Sequence, residues 1–219
     1  MKVYFDGNSW TAGSEVKGFT DHEGQDSNYR WSKILCGKLG AEECNVAGSP
    51  NDRIVRNLLV NYNIEEYDLA IIQMSTPGDR EQYVEKLNDW RKVGVYNTPV
   101  WGEISGKGKK NRKPNHWSEE DYKFWEYYYR NIYNDTYGAT LEQVHCTTIR
   151  NHCQVHNVPV LILVHQGFTY TTKIDYDFDL NKVEYPRWEH NNLPNKQGHR
   201  MIAEDVYALI QRRQLLLGI

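Results

Sequence analysis

The apolar and polar positions of the chain follow two alternating patterns. Short apolar runs bounded by glycine, proline or asparagine predict four buried strands. These strands are expected over residues 3–5, 43–47, 68–74 and 159–164. Apolar side chains three or four positions apart predict helices, which are expected over residues 28–39, 52–62, 119–137, 141–156 and 195–214. Strands that alternate with helices predict βαβ units around a mostly parallel sheet, and hence an α/β fold.

Residues 93–137 interrupt this alternation. Weak apolar alternation predicts a short hairpin between residues 93–96 and 100–101, and the five positive charges of residues 107–113 are typical of a solvated loop. The helix over residues 119–137 carries aromatic side chains on every face. We therefore predict one domain over residues 1–219 with an insertion or cap at about 93–137. Its aromatic helix would contact sugar rings or a second copy of the chain.

Length, charge and composition narrow the class of protein. At 219 residues the chain is long enough for one domain with a substantial core. A net charge of −3 gives no electrostatic reason to expect a nucleic-acid partner. No apolar run approaches the roughly 20 residues that span a bilayer, and Asp6 and Asn8 interrupt the only candidate signal segment. We therefore expect a cytoplasmic protein with no membrane partner.

Cysteine and histidine spacing gives no reason to expect a cofactor. The four cysteines lack a C-x-x-C spacing and are expected to be reduced thiols. His145, His152 and His156 fall close to one side of a predicted helix, but no carboxylate completes a recognisable metal site. The sequence therefore predicts neither a metal nor another cofactor.

The turn after the first strand carries a serine at the carboxyl end of that strand, where open α/β sheets place their ligand sites. This segment, Gly7-Asn8-Ser9-Trp10-Thr11, resembles the Gly-Asp-Ser block of the SGNH/GDSL hydrolases, with Asn8 in place of the usual aspartate. The resemblance implies a flavodoxin-like three-layer α/β/α sandwich with a central, mostly parallel sheet. It also implies that Ser9 is the nucleophile and that its backbone N–H lines the oxyanion hole.

A second block follows the second strand. Gly48 resembles the family glycine whose N–H is another oxyanion donor, and Asn51 and Arg53 resemble polar residues that follow it. On this resemblance Gly48 and Asn51 would line the oxyanion or binding site. The alternative is an ordinary turn in which Asn51 or Asp52 caps the next helix.

The third block departs from the family pattern, because Pro77 stands where the family has the asparagine that completes the oxyanion hole. Ser75 or Thr76 could offer a hydroxyl donor there, and Arg80 a charged one. Alternatively, Arg80 pairs with Glu81 or Glu85 on a solvated helix. The segment loosely resembles a subgroup of SGNH-like proteins often found in phage genomes, which implies a viral protein located in the host cytoplasm or the virion.

The closing block resembles the family at seven positions. These are Pro194, Asn195, Gly198, His199, Ile202, Ala203 and Glu204. In this register the general-base histidine falls on Leu193, and its aspartate partner falls on His190 or Asn191. His199 belongs to a Gly-His pair that is structural in the family. His190 and His165 are therefore the candidate bases, with Glu189, Asp175 or another acid to orient them.

Three functions remain open on the sequence. The first is a serine esterase with a non-standard triad, acting on a small-molecule or carbohydrate ester, since SGNH relatives commonly deacylate carbohydrates or lipids. The second is an inactive SGNH-fold protein that binds a carbohydrate without cleaving it. The third is a structural or interaction module in which the family's catalytic cleft has no function.

Overall fold

A computed structural model describes residues 1–12, 29–45, 50–100, 113–164, 176–180, 183–187 and 194–215. Its central feature is a sheet of five parallel strands. They are β1 (Lys2–Asp6), β2 (Glu42–Cys44), β3 (Leu69–Met74), β6 (Val160–Val164) and β7 (Phe178–Asp179). Two further strands, β4 (Arg80–Val84) and β5 (Asp89–Val93), lie outside this sheet. The spatial order is β2-β1-β3-β6-β7, so β1 and β3 are neighbours near the middle.

Helices cover both faces of the sheet. They are α1 (Ser9–Ala12), α2 (Trp31–Leu39), α3 (Asn51–Arg56), α4 (Glu119–Tyr127), α5 (Asp135–Val155) and α6 (Lys196–Arg213). Helices α3 and α4 each continue into a π-helical turn, over Asn57–Asn61 and Tyr128–Ile132. Apolar residues of α2 and α6 pack with Val3 and Phe5 on one face, whereas α3 and α5 pack with Tyr4 on the other. The predicted three-layer α/β/α architecture is confirmed.

Local sequence explains where several elements begin and end. Helix α2 ends at Gly40, whose φ of 63° is the left-handed conformation that glycine adopts without strain. Helix α4 begins at Ser118, whose hydroxyl accepts from the Asp121 N–H while the Asp121 carboxylate accepts from the Ser118 N–H. All four cysteines are free thiols, as predicted. None of the helices in the described part of the chain is both long and apolar enough to cross a membrane.

The segment after β3 differs from the sequence prediction. Residues 80–84 are not helical but form strand β4 (Arg80–Val84), which pairs antiparallel with β5 (Asp89–Val93). Asn88 closes the hairpin with a φ of 47°, a conformation that asparagine tolerates. The hairpin predicted between residues 93–96 and 100–101 is wrong, because residues 95–97 form a single 3₁₀ turn. The second strand ends at Cys44 rather than at residue 47.

An aromatic cluster lies apart from the two sheet cores. Val93 and Val100 pack there against Trp117 and the buried side of α4 and its π turn, namely Tyr122, Trp125, Tyr128 and Tyr129. The hydroxyl of Tyr129 donates to the Gly78 carbonyl at 2.7 Å and so links this cluster to the loop after β3. The other side of α4 is open, since Phe124 is 57% and Tyr127 60% exposed. The division into a domain with a cap over residues 93–137 stays a prediction.

Candidate functional site

The ends of β1 and β3 bring two polar loops together. Asp6 lies opposite Ile72 in the parallel register of these neighbouring strands. Ser9 and Ser75 are each the third residue after that pair, so the two loops leave the sheet side by side. Asn8 holds the turn between β1 and α1, because its side-chain oxygen accepts from the Trp10 N–H at 2.9 Å and its carbonyl accepts from the Thr11 N–H at 3.1 Å.

Gly7 permits a close approach between this turn and β3. A Cβ atom at this position would lie 2.9 Å from both the Cβ and the carbonyl oxygen of Gln73, and would also meet the hydroxyl of Thr11. That hydroxyl donates to the Gln73 side-chain oxygen at 2.5 Å. The glycine is therefore needed for the contact that fixes the start of the Ser9 loop against β3.

Asp6 is a fully buried carboxylate three residues before Ser9, and the sequence analysis gave it no place in the site. Its Oδ2 accepts from the Asn57 amide at 2.9 Å and from the Tyr4 hydroxyl at 3.3 Å. Burial and the nearby Asp6 charge raise the pKa of Tyr4. An acid at the end of an otherwise apolar strand was the available signal. Its role here is to tie β1 to the π turn that follows α3.

Asn51 does not cap α3, so the capping alternative is wrong for this residue. Its side-chain oxygen accepts from the Ser75 N–H at 2.6 Å, and its amide nitrogen donates to the Ser75 carbonyl at 3.1 Å. The residue is only 2% exposed, and the N-cap position is taken by Pro50. Asn51 therefore clamps the start of α3 to the residue that follows β3.

The Ser75 hydroxyl has a carboxylate partner. Asp79 bends back from the same loop, and its carboxylate hydrogen-bonds to Ser75 and lies 2.7 Å from the Lys92 ammonium group. Burial raises the pKa of Asp79, and Lys92 and Ser75 oppose that rise without cancelling it. Ser75 is buried, whereas Thr76 is exposed to solvent.

Arg80 lies on β4 and forms an ion pair with Asp52. The alternative partners considered from the sequence were Glu81 and Glu85. The Nε of Arg80 is 3.2 Å from the Asp52 carboxylate, which also accepts from the Glu81 N–H at 3.2 Å and lies 3.3 Å from His145 Nε2. Burial alone would raise the pKa of Asp52, but His145 and Arg80 outweigh it and hold the pKa below its usual value. The other nitrogen of His145, Nδ1, is buried and has no hydrogen-bond partner among the residues that the structure describes.

The three histidines on α5 are not equivalent. His145 pairs with Asp52, whereas His156 lies at the far end of the helix, 2.7 Å from Glu65. The rings of His152 and His156 are 4.6 Å apart. Among the described residues no group of three potential ligands could hold a metal ion.

An arginine pair fastens the β4–β5 hairpin to α3. The buried Glu81 carboxylate accepts from Arg53 at 2.5 Å and from Arg56 at 3.1 Å. Arg53 also donates to the Trp90 carbonyl, and the Arg56 guanidinium lies 5.0 Å from the centre of the Trp90 ring. Arg53, which the sequence placed near the site, thus holds the hairpin beside the loop that contains Ser75.

In the part of the closing block that the structure describes, Asn195 and His199 have structural roles. Asn195 caps α6 by accepting from the N–H groups of Gln197 and Gly198, both at 3.0 Å. His199 is fully buried, and its Nδ1 accepts from the Trp31 N–H at 3.3 Å. Three predicted site residues, Gly48, His165 and His190, lie outside the described residues.

Comparisons with known proteins give the fold. Neither a protein-family model nor a curated protein sequence matches the chain. The crystal structure of TesA is similar over 99% of this chain and 100% of that one, with a TM-score of 0.50 at 9% identity. A G-D-S-L family protein from Desulfitobacterium hafniense DCB-2 has a TM-score of 0.38 at 13% identity, covering 95% of this chain and 98% of its own. LAE5, an alpha/beta hydrolase enzyme from the metagenome of Lake Arreo, Spain, also has a TM-score of 0.38 at 13% identity. The match covers 96% of this chain and 94% of LAE5. The similarity to TesA shows that the two chains share an α/β fold with a mostly parallel central sheet.

Proposed function

We propose that this protein is a serine esterase that hydrolyses an acyl ester through Ser9. The observation that carries the proposal is the junction at the carboxyl edge of the sheet. The Ser9 loop and the Ser75 loop begin side by side there, and the Asn51 clamp joins the second loop to the start of α3. This edge is where a parallel sheet presents its reacting groups.

In the proposed mechanism, Ser9 Oγ attacks the ester carbonyl while a histidine takes the hydroxyl proton. The sequence candidates for that base are His190 and His165. The backbone N–H groups of Ser9 and Gly48 stabilise the oxyanion, with a further side-chain donor near the Ser75 loop. The alkoxide leaves with the proton, and water then hydrolyses the acyl-serine. None of these steps requires a cofactor.

The substrate class we propose is a small-molecule ester, with carbohydrate O-acyl esters as the first group to examine. The exposed aromatic rings of Phe124 and Tyr127 support a sugar-binding surface, because the apolar faces of sugars pack on aromatic rings.

The test is hydrolysis of p-nitrophenyl acetate and butyrate by the wild type and by Ser9→Ala, His190→Ala and His165→Ala. We expect Ser9→Ala and one histidine variant to lose roughly 10⁴-fold or more in kcat, because nucleophile and base act as a unit. His156→Ala is the matched control, since this histidine pairs with Glu65 at the far end of α5 and should leave turnover unchanged.

A second candidate function is an inactive SGNH-fold protein that binds a carbohydrate or a protein partner. The observation that favours it is Leu193, which stands where the family base is expected and cannot accept a proton. Wild-type turnover no faster than that of Ser9→Ala, on simple and on acetylated sugar esters, would contradict the esterase. Glycan binding that depends on Phe124 and Tyr127 would then support the binding function.

A further inference from the structure

The Asn51 amide lies on the side of β3 that faces β1. The carbonyl oxygen of Gln73 points to that side, because it lies 2.9 Å from where a Cβ on Gly7 would be. Backbone groups alternate along a strand, so Ser75, two residues later, presents its N–H and C=O to the same side. The pairing of β1 with β3 ends at Asp6 and Ile72. Asn51 therefore bonds to Ser75 just beyond the end of β1, beside the loop that carries Ser9.

One of the two hydrogens on the Asn51 amide nitrogen is left to donate to a ligand. The Asn51 amide nitrogen carries two hydrogens, and only one is used by the Ser75 carbonyl. The side-chain oxygen is held by the Ser75 N–H at 2.6 Å, which fixes the plane of the amide. The second hydrogen has no acceptor among the described residues. A buried, oriented N–H without an acceptor is a suitable donor for a charge that develops during a reaction.

The other side-chain candidates in this loop are less suited to that task. The Ser75 hydroxyl has a single hydrogen, and the Asp79 carboxylate is its partner. The guanidinium of Arg80, on β4, is held at the carboxylate of Asp52, on α3. Thr76 is exposed, so its hydroxyl competes with water and is not oriented by packing. Pro77, at the position of the family asparagine, has no N–H to donate.

We propose that Asn51 Nδ2–H is the side-chain oxyanion donor of the esterase and takes over the task of the missing asparagine. This inference rests on the proposed function of Ser9. As Oγ bonds to the carbonyl carbon, the π electron pair moves to the carbonyl oxygen, and the hydroxyl proton passes to the histidine base. The oxyanion then accepts from Asn51 together with the backbone N–H group of Ser9. When the C=O bond re-forms, the alkoxide leaves with the proton.

The experiment compares Asn51→Asp and Asn51→Ala with the wild type on p-nitrophenyl acetate. Asn51→Asp keeps the oxygen that holds Ser75 and removes the donor, and Asn51→Ala removes the donor without adding charge. We expect each to lower kcat by about 10²- to 10³-fold with KM little changed. Asn63→Asp is the matched control, since this exposed residue only caps a distant 3₁₀ turn and should leave kcat unchanged.

A thionoester substrate separates a donor from a merely structural clamp. Sulfur accepts hydrogen bonds poorly, so the loss in Asn51→Asp should be much smaller on p-nitrophenyl thionoacetate than on the acetate. Equal losses on both substrates, or a larger loss in Ser75→Ala or Arg80→Gln, would overturn the role of Asn51. If turnover depends on Ser9 but is unchanged in the Asn51 variants, this inference alone is overturned. If turnover does not depend on Ser9, the proposed function is overturned as well. Thermal unfolding shows which variants are folded. If only one of the two Asn51 variants folds, the kinetics of that variant are enough to test the inference.

Discussion

At the scale of single residues, Gly7 controls how closely the serine loop approaches the sheet. Gly7→Ala should destabilise the protein by about 2 to 3 kcal/mol, because the added methyl group would press on the Gln73 backbone and the Thr11 hydroxyl. Gly37→Ala is the matched control. It lies in the exposed middle of α2 with no atom near its Cβ position, and should stabilise by about 0.5 to 1 kcal/mol.

Urea unfolding of both variants measures these two effects. A Gly7→Ala protein as stable as the wild type would show that the Ser9 loop can move away from β3. In that case the side-by-side arrangement of the Ser9 and Ser75 loops would not be enforced by packing. The predicted opposite signs make the comparison independent of any general effect of replacing glycine by alanine.

The sequence analysis named candidate site residues but could not predict their contacts. Asn51 was identified from its place after Gly48, but its partner Ser75 is 24 residues away in the chain, and only the folded sheet brings them together. Asp6 was missed, since a buried acid can be recognised only when its partners are known. Arg80 was named as a candidate donor, but its ion pair with Asp52 depends on a hairpin that the sequence did not predict.

At the scale of elements, Asp52 joins α3 to β4 and α5 through a single carboxylate. Its pKa lies below the usual value, so ionised Asp52 stabilises the folded state above its unfolded pKa of about 3.9. That contribution is lost as the pH falls through the lowered folded pKa. Asp52→Asn should therefore cost about 1 to 2 kcal/mol at neutral pH, and the difference from the wild type should shrink below about pH 4.

The measurement is the free energy of unfolding of both proteins between neutral and strongly acidic pH. Glu120→Gln, which removes an exposed carboxylate, provides the control. If the free energy of unfolding of Asp52→Asn differs from that of the wild type by the same amount at every pH, the charge of Asp52 contributes nothing to joining these elements.

Most elements could be predicted because burial leaves a pattern in the chain. Strand β3 is buried on both faces and reads as a continuous apolar run, which is the signature of a parallel central strand. The β4–β5 hairpin was not predicted, since its strands are rich in charged residues. Its stability comes instead from ion pairs of Glu81 with α3 and from packing of Val84 and Val93 in the interior.

At the scale of the whole molecule, the open side of α4 carries exposed aromatic side chains that would favour self-association. Phe124, Tyr127, Ile132 and Tyr137 are all exposed on α4, its π turn and the start of α5. We expect concentration-dependent dimer formation that the double variant Phe124→Ser/Tyr127→Ser abolishes, because exposed aromatic area drives association. Sedimentation velocity measures it, with Val144→Ser, an exposed apolar residue of α5, as control. A wild type that stays monomeric at its highest soluble concentration would contradict this.

The contact between α2 and α6 has a consequence for synthesis of the protein. The Trp31 N–H donates to His199, and Lys38 pairs with Glu204, so α2 is covered by a helix that is synthesised much later. During translation, the apolar face of α2 therefore stays open while more than 150 residues are added. That face of the sheet can close only after α6 has left the ribosome. Until then the nascent chain exposes the kind of apolar surface that chaperones bind.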